Sequence, residues 1–263
     1  MGVRLDYSTI LVAEEDGVRT ITLNRPERRN AMTPAMQDEL LAAMDEAAVS
    51  DCRVVVFAGA GEAFCSGLDL SALQAMNDRS DAEHSADAER VARLFRSLYE
   101  LPKPTIAMVH GAAVAGGTGL ATICDFTLAV PGAKFGYTEV RIGFVPALVS
   151  AFLTLQVGEK RARDLLLTGR LFSAEEAHRV GLVNEVVQPE NLRARVVELA
   201  DALKLNSPAS MAATKRLLAA QNKAWLDRAI ELAMAANADS RGTADFREGV
   251  AAFLEKRKPV WKG

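Results

Sequence analysis

Glu139 stands in KFGYTEVRIG (134–143), with Phe135, Gly136, Tyr137 and Thr138 before it and Arg141 two residues on. A carboxyl group packed against such apolar and uncharged neighbours ionises less readily. Desolvation moves its pKa toward the range useful for acid–base work near neutrality. The same residue also reads as a surface glutamate paired with Arg141, and the residues alone leave both readings open. Two glycine-bearing stretches, GAGEAFCSGLDL (59–70) and AVAGGTGLAT (113–122), each follow an apolar run. Such a turn can cradle an anion on free N–H groups, let backbones pack closely, or aim N–H groups at a carbonyl oxygen that gains charge. The phosphate reading is poorly matched. Gly117-Thr118-Gly119-Leu120-Ala121-Thr122 lacks the third glycine of a dinucleotide fingerprint, and no Gly-Lys-Ser/Thr closes a P-loop. Two turns of this kind, the first ending Ser66-Gly67-Leu68-Asp69, can bring two N–H groups to one oxygen.

The elements that must position these groups alternate. YSTILVAEE and VRTITLN flank Asp16-Gly17, a two-residue hairpin signal. Thr33-Pro34 is an N-cap with proline at the first helical position, and Met36, Leu40, Leu41 and Met44 follow at helical spacing. RVVVFAG (53–59) and TIAMVHG (105–111) are unbroken apolar runs, as in strands covered on both faces, and 126–130 reads as another. A helix to about Tyr99 precedes the second run. The polar stretch 77–89, with Asn77, Asp78, Ser80 and Asp81, interrupts the pattern and predicts a loop or frayed helix end. The segment around KFGYTEV reads as short and extended. From about 148 the chain is almost all helical, with separate spacings over 208–220, 222–237 and 243–257, the first capped by Ser207-Pro208. An α/β fold with parallel pairing follows, with a core over 1–200 and a helical region over 201–263. The units 53–68 and 105–119 are loosely alike.

Composition narrows the function classes. The 263 residues are 49% hydrophobic and 25% charged, with 31 basic against 34 acidic side chains, a net charge of -3. That balance carries no nucleic-acid footprint. No apolar run approaches the roughly 20 residues of a membrane-spanning helix. Acidic Asp6 and the lack of an apolar N-terminal run argue against a secretory signal, and Asp6 occupies the position where a myristoylation signal needs Ser or Thr. Cys52, Cys65 and Cys124 are odd in number, lack metal spacing and read as reduced thiols of a cytoplasmic protein. Three histidines are too few for a His-rich metal site, so no metal is expected.

NRPERRNAM (24–32), GEAFCSGLDL (61–70), KPTIAMVHGAAVAGGTGLATICDFTLA (103–129), KFGYTEVRIGFVP (134–146), LLLTGRLFSAEEAHRVGLVNEVV (165–187) and EGVAAFLEKRKPVWKG (248–263) together resemble the enoyl-CoA hydratase/isomerase (crotonase) superfamily. The motifs occur in the family's order over nearly the whole chain. The resemblance implies a spiral of repeated ββα units with a C-terminal helical trimerisation region, a homotrimer or homohexamer, and an acyl-CoA thioester substrate. Coenzyme A is then part of the substrate, with no separate cofactor. Carried over by position, the backbone N–H groups of Leu68 and Gly116 become the two oxyanion donors for the thioester oxygen. Ser66, Gly67, Asp69, Gly117 and Arg28 fall among the substrate and CoA positions, as do Phe253 and Lys256, which the resemblance sets against the CoA of a neighbouring subunit. Arg25 lies where the family's chain passes the CoA nucleotide. Asp69 and Asp125 also read as structural, Asp69 as a helix cap.

The departure from the family is informative. Its hydratases carry two glutamates around a water; one falls on Glu139, and the other position holds Gly119. One carboxylate suffices to move a double bond between β,γ and α,β positions, whereas hydration with one costs about 10²–10⁴ in rate unless something replaces the other. Thr118 or His84 could stand in; His84 also reads as a solvated loop histidine. The remaining motifs resemble hydratase-type members, so the expectation is an enoyl-CoA hydratase. A Δ3,Δ2-enoyl-CoA isomerase is the alternative, and a non-catalytic acyl-CoA binder or a decarboxylase or hydrolase of the same family stays open.

Overall fold

The computed structural model describes residues 7–74 and 80–262. Asp6, Asn77 and Asp78, named above, lie outside them. Strands β1 (Ile10–Glu15) and β2 (Val18–Leu23) form the antiparallel hairpin, turning through Asp16 and Gly17 with φ of 49° and 74°. Both turn residues are left-handed, as a two-residue hairpin requires. Helix α1 (Pro34–Val49) starts where Thr33 Oγ1 accepts from Met36 N–H at 3.2 Å.

The next three stretches repeat one unit. Each has a strand in a six-stranded sheet, a strand in a four-stranded sheet, and helical chain on the way to the next. The pairs are β3 (Val54–Gly59) with β4 (Ala63–Cys65), β5 (Thr105–Val109) with β6 (Ala112–Val114), and β7 (Phe126–Ala129) with β8 (Lys134–Gly136). Helices α2 (Leu70–Gln74) and α3 (Asp81–Glu100) separate the first two pairs, and α4 (Gly116–Ile123) separates the second and third. β3, β5 and β7 pair in parallel with one another, and so do β4, β6 and β8. This is the expected spiral of ββα units. The loose likeness of 53–68 and 105–119 has a third member in 126–136.

Helices α5 (Ala147–Val157) and α6 (Glu159–Thr168) follow, then β9 (Phe172–Ser173), α7 (Ala174–Arg179) and β10 (Glu185–Val186), which closes the sheet order β1-β2-β3-β5-β7-β10. β9 completes β4-β6-β8-β9. Helix α8 (Leu192–Lys204) packs on β3, β5 and β7, so the expected division at 200/201 falls inside it. Helices α9 (Pro208–Arg241) and α10 (Ala244–Leu254) complete the chain. The spacings at 208–220 and 222–237 belong to one 34-residue helix.

The stretch predicted as a loop or frayed helix end is, from Ser80 on, the capped start of a long helix. Ser80 and Glu83 form a capping box at the start of α3, and Ala88, Val91, Ala92, Leu94, Phe95 and Leu98 make its buried face. His84 and Asp87 are buried too, so His84 is no solvated loop histidine. The polar residues masked the pattern because two of them face inward.

Candidate active site

The chain folds so that the two glycine turns and Glu139 meet. β6 lies between β4 and β8, pairing Ala113 with Cys65 and with Phe135. The residues just beyond these three strand ends therefore cluster. Gly67 adopts φ of 91°, and a Cβ there would lie 2.8 Å from Ala115 Cβ and 3.3 Å from Gly116 N. Only glycine allows both that φ and that approach. Leu68 forms a parallel bridge with Met32: Met32 N–H donates to Gly67 O at 2.7 Å, and Asp69 N–H to Met32 O at 3.0 Å. The Leu68 N–H is left out of that ladder. Gly116 opens α4, whose first N–H groups have no partner within the helix. Among the described residues, neither N–H donates to another protein group.

Ala115, before α4, holds φ 53° and ψ -127°, which is strained for a residue with a side chain. It is pinned there. Its N–H donates to Gly136 O at 2.6 Å, and its carbonyl accepts from Thr118 and Gly119 N–H. Three residues beyond Gly136, Glu139 begins a short 3-10 turn (Glu139–Ile142), closed by Gly143 at φ of 66°.

Leu68, Gly116 and Glu139 line one cavity of about 240 Å³. Its walls are mainly hydrocarbon, including Val91, Phe95, Ile142, Phe144, Leu148 and Val149. Glu139 is 8% exposed, and its Oε2 has no hydrogen-bond partner. Burial pushes its carboxyl up to about 7, against some opposition from a backbone hydrogen bond. It makes no ion pair with Arg141, so the surface reading fails and the desolvated one holds. Of the described residues lining this cavity, Glu139 alone carries a carboxylate. Such a group can take a proton from carbon and give it back, while the two N–H groups can receive charge on an oxygen.

The wall beside Gly119 is filled. A Cβ there would lie 2.6 Å from Val149 Cγ1 and 3.3 Å from Phe95 Cζ. Neither expected substitute for a second acid stands ready. Thr118 Oγ1 donates toward Ala113 O and Gly136 O at 2.7 and 3.0 Å and accepts from Gly136 N–H. His84 does not border the cavity.

The expected binding residues divide. Ser66 and Phe253 border the cavity of their own chain. Gly67 shapes the turn. Gly117 packs against the Cys65 carbonyl of β4, where a side chain has no room, so its role is close packing. Asp69 is committed elsewhere: Oδ1 accepts from Ser71 and Ala72 N–H, and Oδ2 from Arg25 Nη1 at 2.9 Å. It caps α2 and anchors Arg25, which holds its carboxyl below the usual range despite burial. Asp125 is structural too, accepting from Thr105 and Lys215. Arg28 and Lys256 are exposed and do not line the cavity; Arg29, the adjacent arginine, does. The left-handed φ of 49° at Arg29 separates the two side chains, a turn that residue types do not reveal. Asn237 of α9 also lines the cavity. Its sequence signal is faint: an asparagine inside a helix, four residues before an arginine. Among the described residues no three His, Cys, Asp or Glu side chains group as metal ligands, and no helix is long and apolar enough to cross a membrane.

Comparison with known proteins agrees with the fold. The family model described as enoyl-CoA hydratase/isomerase matches residues 13–263. A Thermus thermophilus protein named "Putative enoyl-CoA hydratase" is 45% identical over 247 residues, covering 94% of this chain and 98% of that one. The 1,2-epoxyphenylacetyl-CoA isomerase of Escherichia coli is 34% identical, covering 97% and 98%. A crystal structure of an enoyl-CoA hydratase/isomerase from Xanthobacter autotrophicus superposes with a TM-score of 0.88 at 33% identity, covering 95% and 97%. This chain is an enzyme of the enoyl-CoA hydratase/isomerase family.

Proposed function

We propose that the protein moves the double bond of an enoyl-CoA thioester between the β,γ and α,β positions, with Glu139 as its single acid–base group. The observation that carries this reading is the lone buried carboxylate facing a hydrocarbon wall, where Val149 and Phe95 fill the space beside Gly119. Glu139 takes a proton from the α-carbon of a 3-enoyl thioester, and the electron pair spreads into a dienolate. The Leu68 and Gly116 N–H groups stabilise the charge on the thioester oxygen, each donor typically worth about 10²–10³ in rate. Protonated Glu139 then returns the proton to the γ-carbon, leaving the conjugated 2-enoyl thioester. No group beyond the substrate's own coenzyme A is called on. Ser66 and the exposed Arg29 and Phe253 line the cavity and are the residues we assign to the CoA side of the substrate.

Hydration is the second reading, favoured by the names of relatives such as the crotonyl-CoA hydratase of Syntrophomonas wolfei, 35% identical over 262 residues. Glu139 would then deprotonate a water and deliver the proton to the α-carbon in turn. Exposed Leu217, Leu218, Trp225 and Leu232 on α9 support the trimeric assembly the family resemblance implies, and three free, buried thiols suit a cytoplasmic protein. The test is spectrophotometric. With a 3-enoyl-CoA, conjugated thioester absorbance should rise; with crotonyl-CoA it should fall about 10²-fold or more slowly. Faster loss with crotonyl-CoA would replace isomerisation by hydration. No change with either, while the esters still bind, would overturn both isomerisation and hydration of these substrates.

A further inference from the structure

Asn237 is a polar residue, 4% exposed, on a cavity wall that is otherwise mostly hydrocarbon. One helical turn later in α9 stands Arg241, 1% exposed, which pairs with Asp87 of α3 at 2.6 Å and lies over the Phe144 ring at 5.7 Å. Phe144 and Val91, one turn beyond Asp87, line the same cavity. Asn237 therefore belongs to its hydrocarbon part. Arg241 Nε and Nη2 donate to Asn237 Oδ1 at 3.3 and 3.1 Å. A guanidinium has donors and no acceptor, so the amide oxygen must face it and the amide NH₂ must face away. That nitrogen donates no hydrogen bond among the described residues and keeps access to the cavity. A donor held in hydrocarbon without an acceptor is costly, and a ligand oxygen placed there removes the cost.

We propose that Asn237 is a specificity-determining residue, selecting acyl groups with an acceptor oxygen (hydroxyl, keto or ether) away from the thioester over hydrocarbon chains of equal length. This rests on the reading that the cavity takes the acyl group of a CoA ester. Arg241 and Asp87 are positioning residues that hold the amide in one orientation. Chain length alone does not satisfy the site, because hydrocarbon leaves the NH₂ unmatched.

The experiment measures dissociation constants of unreactive saturated esters by calorimetry: hexanoyl-CoA against 4-oxo- and 5-oxohexanoyl-CoA. The native enzyme should favour at least one oxo ester about tenfold. Asn237→Asp still offers Arg241 an acceptor but has no donor for the ligand, and should lose that preference. Asn237→Leu should shift it toward hexanoyl-CoA. Equal binding of all three esters by the native enzyme, or an unchanged preference in Asn237→Asp, overturns the proposal while the acyl-CoA reading stands. If no ester binds to the folded native enzyme, that reading fails and the proposal falls with it.

Discussion

Replacing Glu139 by Gln should stabilise the fold at alkaline pH while removing turnover. Burial moves the carboxyl from 4.5 to about 7, a gap worth about 3 kcal/mol at about 1.4 kcal/mol per pH unit. Below pH 4.5 the group is neutral in both folded and unfolded chains, and its burial as a neutral acid costs no ionisation energy. Between 4.5 and 7 the unfolded chain releases a proton that the native one keeps, so native stability declines through that window and stays lower above it. The glutamine side chain does not titrate and escapes the decline. Relative to the native enzyme, Glu139→Gln should therefore gain about 2–3 kcal/mol between about pH 5 and pH 8, read from denaturant midpoints at each pH. Native kcat/KM should rise with pH through about 7 as the base form appears, and the variant should fall by at least about 10². A native-to-variant stability gap that does not change with pH would refute the desolvation argument. Near-normal turnover in Glu139→Gln would refute the role of Glu139.

Two further substitutions probe the surroundings. Gly119→Glu alone should cost about 1–3 kcal/mol of stability, because its Cβ would meet Val149 Cγ1 at 2.6 Å, and should bring no gain in hydration. Adding Val149→Ala clears that contact and should raise crotonyl-CoA hydration by about 10² or more; a gain from Gly119→Glu alone would show that the wall yields. Asp87→Asn removes the carboxylate that Arg241 and Arg90 both bond and should cost about 3–5 kcal/mol, seen as a lower urea midpoint; a loss below about 1 kcal/mol would mean other groups carry that charge.

Much of the fold is legible in local residue order. The apolar runs at 53–59 and 105–111, the Asp16-Gly17 turn, and the Thr33-Pro34 and Ser207-Pro208 starts all lie where the structure has strands, a hairpin and helix N-termini. These signals are short-range: a turn needs two left-handed residues and a cap needs one hydroxyl, whatever the rest of the chain does. The stretch 81–89 reads locally as a loop or frayed helix end, not as the capped, inward-facing start of a helix. Asp87 faces inward where Arg241, 154 residues later, joins its local partner Arg90, and no local pattern announces a partner as distant as Arg241.

The site divides the same way. Glu139, the glycines of both turns and the missing acid at Gly119 can be read from residue types in order, with the family resemblance to assign their roles. Distances and directions cannot. That Glu139 is buried with its Oε2 unpartnered, that Arg29 rather than Arg28 borders the cavity, and that Asp69 and Thr118 are committed to other partners depend on how β4, β6 and β8 pair. Sequence order determined which groups are present near the strand ends. Only the tertiary packing decided which of them face the cavity, because desolvation and hydrogen-bond commitment are properties of neighbours brought together from distant parts of the chain.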